Sequence, residues 1–370
     1  MDKKRHYFLD YIRVAAMLFV IFMHSAANGL RFNAATPGEN WHLLNLATSL
    51  AFTAVPLFFM ISGYLLFTSP KTPDPGYLLT KRLPRLVLPL LGWSTVCGAW
   101  ISFRSAEGFS LTATGKTLIL SLNEPVMTHL WFQYTLIGMY LLSPLFYGGL
   151  NSLDRKGKGY LAGLLVICNL FATLGGILPE PWRSLLPQGM TSHVLLFTSH
   201  FCALMLGWLL GTWETPPRSR LLLGVALADL AFIAMMTWRY TVASGAYNQL
   251  FQSQNRLFEL LLASCIFLLC RRHLDRPFGR FHSLIRPLSA LAFPIYMVHG
   301  LSLSILRALG LPDLSAIQVA ALTLAALVLS WLAAKTAASV PVLCRILVGM
   351  PFEEACRSCN WIYTFKKLKK

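Results

Sequence analysis

Apolar residues in this chain are gathered into ten blocks that are separated by short polar segments. The blocks lie approximately at 9–27, 45–67, 86–103, 129–150, 160–178, 193–213, 221–238, 256–270, 284–308 and 315–336. A helix needs about 17–25 apolar residues to cross a hydrocarbon core ~30 Å thick, and the blocks meet or approach that length. The pattern therefore predicts an all-α integral membrane protein with about ten transmembrane helices.

The composition agrees with a membrane location. Hydrophobic residues make up 55% of the 370 residues and charged residues only 13%, whereas soluble domains contain roughly 25% charged residues. The formal net charge of +17 would suggest nucleic-acid binding in a soluble protein. In this chain the basic residues are spread over many short loops, as expected of residues that set membrane topology. We therefore expect the lipid bilayer, and no nucleic acid, as a partner.

The distribution of basic residues predicts the orientation. With the N-terminus inside, the inner segments contain 22 Lys and Arg and the outer segments contain five. Because cytoplasmic loops are enriched in these residues, both termini are predicted to be cytoplasmic. The first block followed by Ser25-Ala26-Ala27 resembles a signal peptide, but Asp10 and Arg13 fit such a segment badly. We expect an uncleaved first span.

We expect residues 1–350 to form a single membrane domain and residues 351–370 to form a basic cytoplasmic tail. The sequence of residues 337–352 predicts an interfacial helix. The sequence of Leu111–Leu122 predicts a short helix at the outer surface. No cysteine lies in an outer loop, so no disulfide framework is predicted. The single pair Cys356 and Cys359 is a weak metal signal, and no metal is expected.

Three ionisable residues lie in the first block, where a charge near the bilayer centre costs ~2.5–3.5 kcal/mol. Asp10 precedes Arg13 by three residues, which is near enough for an ion pair. Arg13 and His24 are eleven residues apart, so their side chains lie on one helix face, ~16 Å apart along the axis. A snorkelling arginine and a core histidine are the structural alternative. The shared face favours a polar path through the protein.

Arg82 and Arg85 lie three residues apart on the first inner loop. Arginines at this spacing can converge on one phosphate group, because guanidinium groups suit bidentate contacts with oxyanions. A role in topology alone is the alternative, and the spacing does not decide between the two.

Histidines and aromatic residues also lie together in later blocks. His129 and Trp131 open the fourth block at the outer face, where tryptophan is common and histidine is less so. Tyr296 and His299 share a face of the ninth block. These residues are candidates for contacts with a substrate.

Other ionisable residues in the blocks are more simply explained by packing. Glu259 is predicted to pair with Arg256, one turn away, in a structural role. His193 and His200 bracket the outer half of the sixth block and can pack against their neighbours. The sequence suggests no role for Asp229.

These features together resemble the membrane acyltransferase-3 family. The resemblance rests on Arg13-x10-His24 and Arg82-x2-Arg85, and on three further segments, Val55–Tyr64, His129–Phe132 and Ile295–His299. It covers the whole chain, with ten spans and no appended hydrolase-like domain. Val55–Tyr64 and His129–Phe132 are most similar to the enterobacterial common antigen O-acetyltransferase branch.

The resemblance implies an O-acyltransferase of the bacterial inner membrane. Such an enzyme moves an acyl group, usually acetyl, from cytoplasmic acyl-CoA to a hydroxyl of an envelope polysaccharide or lipid-linked sugar. Acetyl-CoA is then the expected donor, and this glycan the expected acceptor. The family's Arg-x10-His pair maps onto Arg13 and His24, and its Arg-x2-Arg pair onto Arg82 and Arg85.

A sugar hydroxyl needs a base at neutral pH, and histidine, with an unperturbed pKa of about 6.5, suits that task. His24 is the expected general base, and an acyl-His24 intermediate is a possible variant. Arg13 and Asp10 complete the expected catalytic group, while Arg82 and Arg85 are expected to hold the donor phosphates. The expected substrate-binding residues, some of which can donate to a developing oxyanion, are Ser62, Tyr64, His129, Trp131, Tyr296 and His299.

Two other classes of protein remain as alternatives. Intramembrane charges also suit a transporter, but the chain lacks repeated halves and paired Gly/Pro-broken spans. A purely structural partner of a polysaccharide synthase would leave the shared face of Arg13 and His24 unexplained. The sequence leaves the acceptor, the acyl chain length and the oligomeric state open.

Overall fold

The structure, a computed structural model, describes residues 6–187, 199–253 and 256–368, and these residues form helices and no strands. The α-helices are α1 (Tyr7–Phe32), α2 (Glu39–Ala51), α3 (Ala54–Phe67), α4 (Pro75–Tyr77), α5 (Pro84–Arg104), α6 (Leu111–Leu120), α7 (Trp131–Asn151), α8 (Arg155–Ile177), α9 (Ser199–Gly211), α10 (Ser219–Ser244), α11 (Leu257–His273), α12 (Gly279–Ala308), α13 (Ala316–Ala337), α14 (Pro341–Leu343), α15 (Phe352–Ser358) and α16 (Trp361–Leu368). Short π-helical segments lie at Leu78–Arg82 and Cys344–Val348, and 3₁₀ turns at Thr128–Leu130 and Trp182–Leu185.

The described residues contain seven helical segments that are long and apolar enough to cross a membrane. They are Tyr7–Phe32, Glu39–Phe67, Pro75–Arg104, Arg155–Ile177, Ser219–Ser244, Phe281–Ala308 and Ala316–Ala337. Nine of the ten predicted blocks each overlap one long described helix, and the block at 45–67 overlaps two, α2 and α3. The block at 193–213 begins, with His193, outside the described residues. The all-helical, multi-pass character is confirmed. The count of ten spans and the cytoplasmic location of both termini stay predictions.

Local capping chemistry explains several helix ends. The Asp154 carboxylate accepts a hydrogen bond from the Gly157 backbone N–H at 2.8 Å, which caps the start of α8. Ser110 caps α6 in the same way, and this helix confirms the predicted short helix at Leu111–Leu122. Such side chains satisfy the N–H groups that a helix start leaves without partners. At the other end, α10 stops at Gly245, whose φ of 65° suits glycine.

The described chain forms two compact units, and each is considered by itself. The first comprises Met1–Pro70, Leu145–Pro277 and Asp313–Val319, and the second comprises Lys71–Pro144, Phe278–Pro312 and Ala320–Lys370. The expected division into a membrane domain at 1–350 and a tail at 351–370 concerns the bilayer, and it stays a prediction.

In the first unit, α3 and α9 approach so closely that two positions accept only glycine. A Cβ atom on Gly63 would lie 1.8 Å from the carbonyl oxygen of Leu204, and one on Gly207 would lie 2.0 Å from that of Met60. Small residues allow transmembrane helices to bring their backbones into contact. Gly63 belongs to the motif segment Val55–Tyr64, so part of that motif serves helix packing.

Glu259 does not pair with Arg256, contrary to the prediction from their spacing. Arg256 lies before the first turn of α11, and its side chain donates to the carbonyl of Ala172 on α8. Both carboxylate oxygens of Glu259 are buried, and among the described residues they have no hydrogen-bond partner. Asp229 on α10 also lies close enough to act electrostatically on this carboxyl group.

In the second unit, the segment after α13 packs on α5. The single helix predicted over 337–352 is replaced by α14, the π-helical segment Cys344–Val348 and a break at Gly349, where φ is 73°. A Cβ atom on Gly349 would lie 2.3 Å from the carbonyl oxygen of Arg85 on α5. The helix stops here because this contact and the left-handed backbone both require glycine.

Lys335, near the end of α13, is held between two tryptophan rings. Its Nζ lies 4.5 Å from the ring centroid of Trp331 and 4.1 Å from that of Trp361 on α16. The lysine is only 5% exposed, and the faces of the two indole rings stabilise its positive charge. The Trp361 backbone N–H also donates to Ser339 Oγ at 3.1 Å. Lys335 thus attaches the C-terminal helix to the end of α13.

Of the three cysteines after α13, Cys344 and Cys359 are buried and Cys356 is partly buried. Burial raises the pKa of the Cys344 thiol to about 12 and also raises the pKa of Cys359. These shifts favour the protonated thiol in the metal-free protein. No group of three His, Cys, Asp or Glu residues in the described parts of the chain could hold a metal ion.

Candidate functional site

Asp10 and Arg13 form an ion pair within the first turns of α1. Arg13 Nη1 lies 3.5 Å from Asp10 Oδ1, and the two side chains are 31% and 9% exposed, respectively. The pairing confirms the prediction from their spacing. It also has a physical cause, because a carboxylate and a guanidinium in a membrane span each need a partner of opposite charge.

His24 lies eleven residues after Arg13 on the same helix. Because α1 runs without interruption and contains no proline, the helical repeat places both side chains on one face, ~16 Å apart along the axis. His24 is partly buried, so the face it shares with Arg13 continues inside the unit. This geometry is what a polar path along α1 requires.

Tyr64, near the end of α3, contacts the opposite end of α1. Its hydroxyl is hydrogen-bonded to His6 Nε2 at 3.2 Å, and His6 Nδ1 lies 3.3 Å from Asp275 Oδ2. His6 is eighteen residues before His24, which corresponds to ~27 Å along α1. Tyr64 is therefore too far from His24 to donate to an oxyanion that forms beside it.

Ser62 lies two residues before Tyr64 and therefore near the same end of α1. Its hydroxyl donates to the carbonyl of Phe58 at 2.9 Å, four residues earlier on α3. Serine in a helix commonly makes this bond to its own backbone. The bond occupies the only hydrogen that the Ser62 hydroxyl can donate.

Arg82 and Arg85 have different partners in the second unit. Arg82 ends the π-helical segment Leu78–Arg82, where its Nη1 donates to Thr72 Oγ1 at 2.7 Å and its guanidinium lies 5.5 Å from the Tyr77 ring centroid. Pro84 starts α5, since proline is well accommodated in a first turn. Arg85 follows, with its Nη1 3.7 Å from Glu354 Oε2. Both arginines thus have a polar partner of their own near the start of α5.

His129, Tyr296 and His299 form a buried cluster in the second unit. The His129 and His299 ring centroids are 4.5 Å apart, and the Tyr296 hydroxyl donates to the carbonyl of His129. His129 Nε2 is hydrogen-bonded to the carbonyl of Met297 at 3.1 Å. Gly300 makes room for the His129 ring, since a Cβ atom there would lie 2.2 Å from its Cε1. The structure thus brings three predicted substrate-binding residues together.

Trp131 adjoins this cluster through Phe132. The indole ring of Trp131 and the phenyl ring of Phe132 meet edge to face, with centroids 6.3 Å apart. The centroid of the Phe132 ring lies 5.4 Å from that of the Tyr296 ring. Trp131 itself is only partly buried. It is the member of the group that a ligand can reach most directly.

The candidate residues therefore divide into two sets, one in each compact unit. Asp10, Arg13, His24, Ser62 and Tyr64 belong to the first unit. Arg82, Arg85, His129, Trp131, Tyr296 and His299 belong to the second.

Sequence patterns missed three residues that hold members of these sets. His6 contacts Tyr64, and Asp275 contacts His6. Glu354 contacts Arg85. These contacts join residues far apart in the chain, so no local spacing indicates them. The acidic pair of Glu353 and Glu354 in an otherwise basic tail is the one signal that could have drawn attention to Glu354.

The profile of the family Acyl_transf_3, described as an acyltransferase domain, matches residues 6–335. The chain belongs to the acyltransferase-3 family. A search of curated proteins and a search of solved structures gave no match. The family and its helical architecture identify a membrane acyltransferase, as the motifs predicted, and the matched region contains every candidate residue named above.

Proposed function

We propose that this acyltransferase transfers an acetyl group from cytoplasmic acetyl-CoA to a hydroxyl of an envelope polysaccharide or lipid-linked sugar in the bacterial inner membrane. The family match over residues 6–335 carries the proposal. Val55–Tyr64 and His129–Phe132 support the enterobacterial common antigen O-acetyltransferases as the branch to which it belongs.

His24 is proposed as the general base. The acceptor hydroxyl oxygen attacks the thioester carbon while His24 removes the hydroxyl proton. The C–S bond of the tetrahedral adduct then breaks, and His24 returns the proton to the CoA sulfur, so that the base is regenerated. Attack by His24 itself, with an acyl-His24 intermediate, is the second route. The position of His24 on the face of α1 that carries Arg13 supports this role.

The Asp10–Arg13 pair is proposed to support the chemical step rather than to take part in proton transfer. The two side chains carry charges of opposite sign 3.5 Å apart. They therefore make α1 polar without adding a net charge to the membrane interior. Arg13 then lines the inner part of the path along which the thioester arm of the donor reaches towards His24.

Arg82 and Arg85 are proposed to bind the donor phosphates. Arg82 donates to the neutral hydroxyl of Thr72 and lies over the Tyr77 ring, and its planar guanidinium suits bidentate contact with a phosphate. Arg85 is paired with Glu354, but both side chains are about half exposed, and exposed pairs of this kind are weak. A phosphate carries more charge and offers more acceptor oxygens than a carboxylate, so it replaces Glu354 on Arg85.

The remaining predicted residues are proposed to act on two sides of the reaction. Ser62 and Tyr64 lie near the His6 end of α1, which suits contact with the donor arm and excludes an oxyanion role beside His24. His129, Tyr296 and His299 form a buried polar cluster next to the partly exposed Trp131, which suits recognition of the acceptor.

The test is acetyl transfer by the purified protein reconstituted in lipid vesicles. We expect release of CoA from acetyl-CoA that depends on an added envelope glycan fraction, and mass spectrometry should find acetyl groups on that glycan. Glycans from a deletion strain should lack the same groups. Absence of CoA release with every glycan fraction, together with unchanged glycans in the deletion strain, would exclude this function.

A further inference from the structure

The C-terminal end of α11 carries a cluster of basic side chains that the family motifs do not include. Arg271, Arg272 and His273 close the helix, and Arg276 follows in the next turn of chain. All four belong to the first unit, in the segment predicted to be an inner loop.

Neutral acceptors hold the first two arginines in place. Arg271 Nη1 donates to the carbonyls of Leu210 and Trp213, each at 2.8 Å, and thereby caps the C-terminal end of α9. Arg272 donates to the carbonyls of Pro216 and Pro217 at 3.0 and 2.6 Å. Within the described residues, neither guanidinium forms an ion pair with a carboxylate. Both side chains are therefore ordered, and their charges are not neutralised.

Two adjoining cavities open beside these side chains. One, of about 180 Å³, is lined by Arg272, His273, Asp275 and Arg276. The other, of about 270 Å³, shares Arg272 and is lined by Arg271, Glu214, Pro216 and Leu268. The wall of the first cavity has an excess of positive charge, because it contains two arginines, Arg272 and Arg276, and one carboxylate, Asp275.

We propose that these cavities bind a phosphate group. Guanidinium groups match phosphate oxygens in geometry and charge, and basic pockets on the cytoplasmic side of membrane proteins bind anionic headgroups. Two sources supply the same chemistry, the 3′-phosphate of acyl-CoA and the headgroup of an anionic phospholipid. The first source rests on the proposed function, because it assumes an acyl-CoA donor, and the second does not.

The donor arm of the test compares acetyl-CoA with 3′-dephospho-acetyl-CoA. If the cavities hold the 3′-phosphate, the wild-type protein should bind acetyl-CoA about fivefold more tightly than it binds 3′-dephospho-acetyl-CoA. This factor corresponds to the contribution of about one exposed ion pair. Arg276→Gln, and Arg272→Gln together with Arg276→Gln, should bind the two compounds equally. Isothermal titration calorimetry of the purified protein measures both affinities.

Arg220→Gln is the matched control. It removes one exposed cation from the start of α10, close in sequence to the loop that Arg272 holds, but Arg220 lines neither cavity. The control should keep the full preference for acetyl-CoA. Arg276→Gln leaves the carbonyl contacts of Arg272 intact, so it keeps the test valid if the double variant unfolds.

The lipid arm uses the same variants in nanodiscs of phosphatidylcholine, with and without phosphatidylglycerol. If the cavities hold a headgroup, native mass spectrometry should find phosphatidylglycerol retained by the wild-type protein and by Arg220→Gln, and lost from Arg276→Gln. A positive result in either arm supports the phosphate site and names its source.

The two arms separate this proposal from the proposed function. A wild-type protein that binds both CoA compounds equally and retains no phosphatidylglycerol would overturn the phosphate site and leave the acyltransferase proposal intact. A wild-type protein that binds no acetyl-CoA would contradict the proposed donor, and the lipid arm alone would then decide whether the cavities bind phosphate.

Discussion

Two arginine–carboxylate pairs in this chain place the same chemical groups in opposite surroundings. In the first unit, Arg13 and Asp10 lie three residues apart in a predicted membrane span, and Asp10 is buried. In the second unit, Arg85 and Glu354 come from distant parts of the chain, and their side chains are 51% and 55% exposed. A lone charge near the bilayer centre costs ~2.5–3.5 kcal/mol, whereas an exposed ion pair contributes only ~0–1 kcal/mol.

This difference in exposure predicts which arginine exchanges its carboxylate for another anion more readily. Because Asp10 is buried in a predicted membrane span, we expect its separation from Arg13 to be costly. We expect Arg85 to exchange Glu354 for a phosphate with little loss of free energy, because the pair is half exposed. We therefore expect α1 to govern the chemical step and the stability of its unit, and the loop of Arg82 and Arg85 to govern donor affinity.

Replacement of His24 tests the assignment of chemistry to α1. His24→Gln keeps a polar side chain of similar reach but cannot act as a base near neutral pH. We expect kcat to fall by ~10²–10⁴-fold, as for loss of positioned proton transfer, while acetyl-CoA affinity stays unchanged. Release of CoA and calorimetric binding measure the two quantities.

The control for this variant is His42→Gln, which changes an exposed histidine on α2 of the same unit. It should leave kcat unchanged. A folded His24→Gln protein with near-normal transfer would remove His24 from the mechanism and make His129 and His299 the next bases to test.

Replacement of both motif arginines tests the assignment of donor binding to the loop. Charged hydrogen bonds contribute ~1.5–3 kcal/mol each, so Arg82→Ala with Arg85→Ala should weaken acetyl-CoA binding at least about tenfold. Turnover at saturating donor should change much less. Arg155→Ala with Lys156→Ala removes the same charge from another predicted inner loop, where both residues are exposed, and should leave the affinity unchanged. Equal affinities in both double variants would return Arg82 and Arg85 to a role in topology.

The two ion pairs should differ in their effect on stability. Asp10→Asn leaves Arg13 without its buried counter-charge, and we expect a loss of ~1–3 kcal/mol in unfolding free energy. Glu354→Gln should change it by less than ~1 kcal/mol, because both partners are half exposed. Thermal unfolding of the detergent-solubilised protein compares them directly. A larger effect of Glu354→Gln than of Asp10→Asn would reverse the comparison.

Tyr64→Phe should have the smallest effect. It removes the hydroxyl that is hydrogen-bonded to His6, and a hydrogen bond of this kind contributes ~0.5–1.5 kcal/mol. Because Tyr64 lies ~27 Å from His24 along α1, we expect a small loss of stability or donor affinity and an unchanged kcat. A kcat as low as that of His24→Gln would show that Tyr64 acts at the reacting carbonyl.

Much of the fold followed from the sequence because the bilayer restricts the backbone to structures that satisfy their own hydrogen bonds. Each apolar block therefore became a helix, and the pairing of Asp10 with Arg13 followed from helical spacing alone. The same spacing rule was wrong for Glu259 and Arg256, because Arg256 precedes α11 and its side chain extends to α8. The rule holds only when both residues lie within one helix.

The contacts around the candidate site were less predictable. Glu354 and Arg85 are separated by most of the chain, as are His6 and Asp275, and such pairs depend on how whole segments pack. The motif residues themselves were recognisable because they lie at short, regular spacings. The residues that hold them carry no comparable pattern.

The family match and the packed structure end at different residues. The family profile stops at Lys335, whose ammonium group lies between Trp331 and Trp361. A recombinant chain shortened to the matched residues would keep every motif. It would still expose one face of the buried Lys335 ammonium group, because Trp361 lies 26 residues beyond the cut. The choice of an expression boundary for this protein therefore belongs after Trp361, and a truncation that aggregates would say nothing about its catalytic residues.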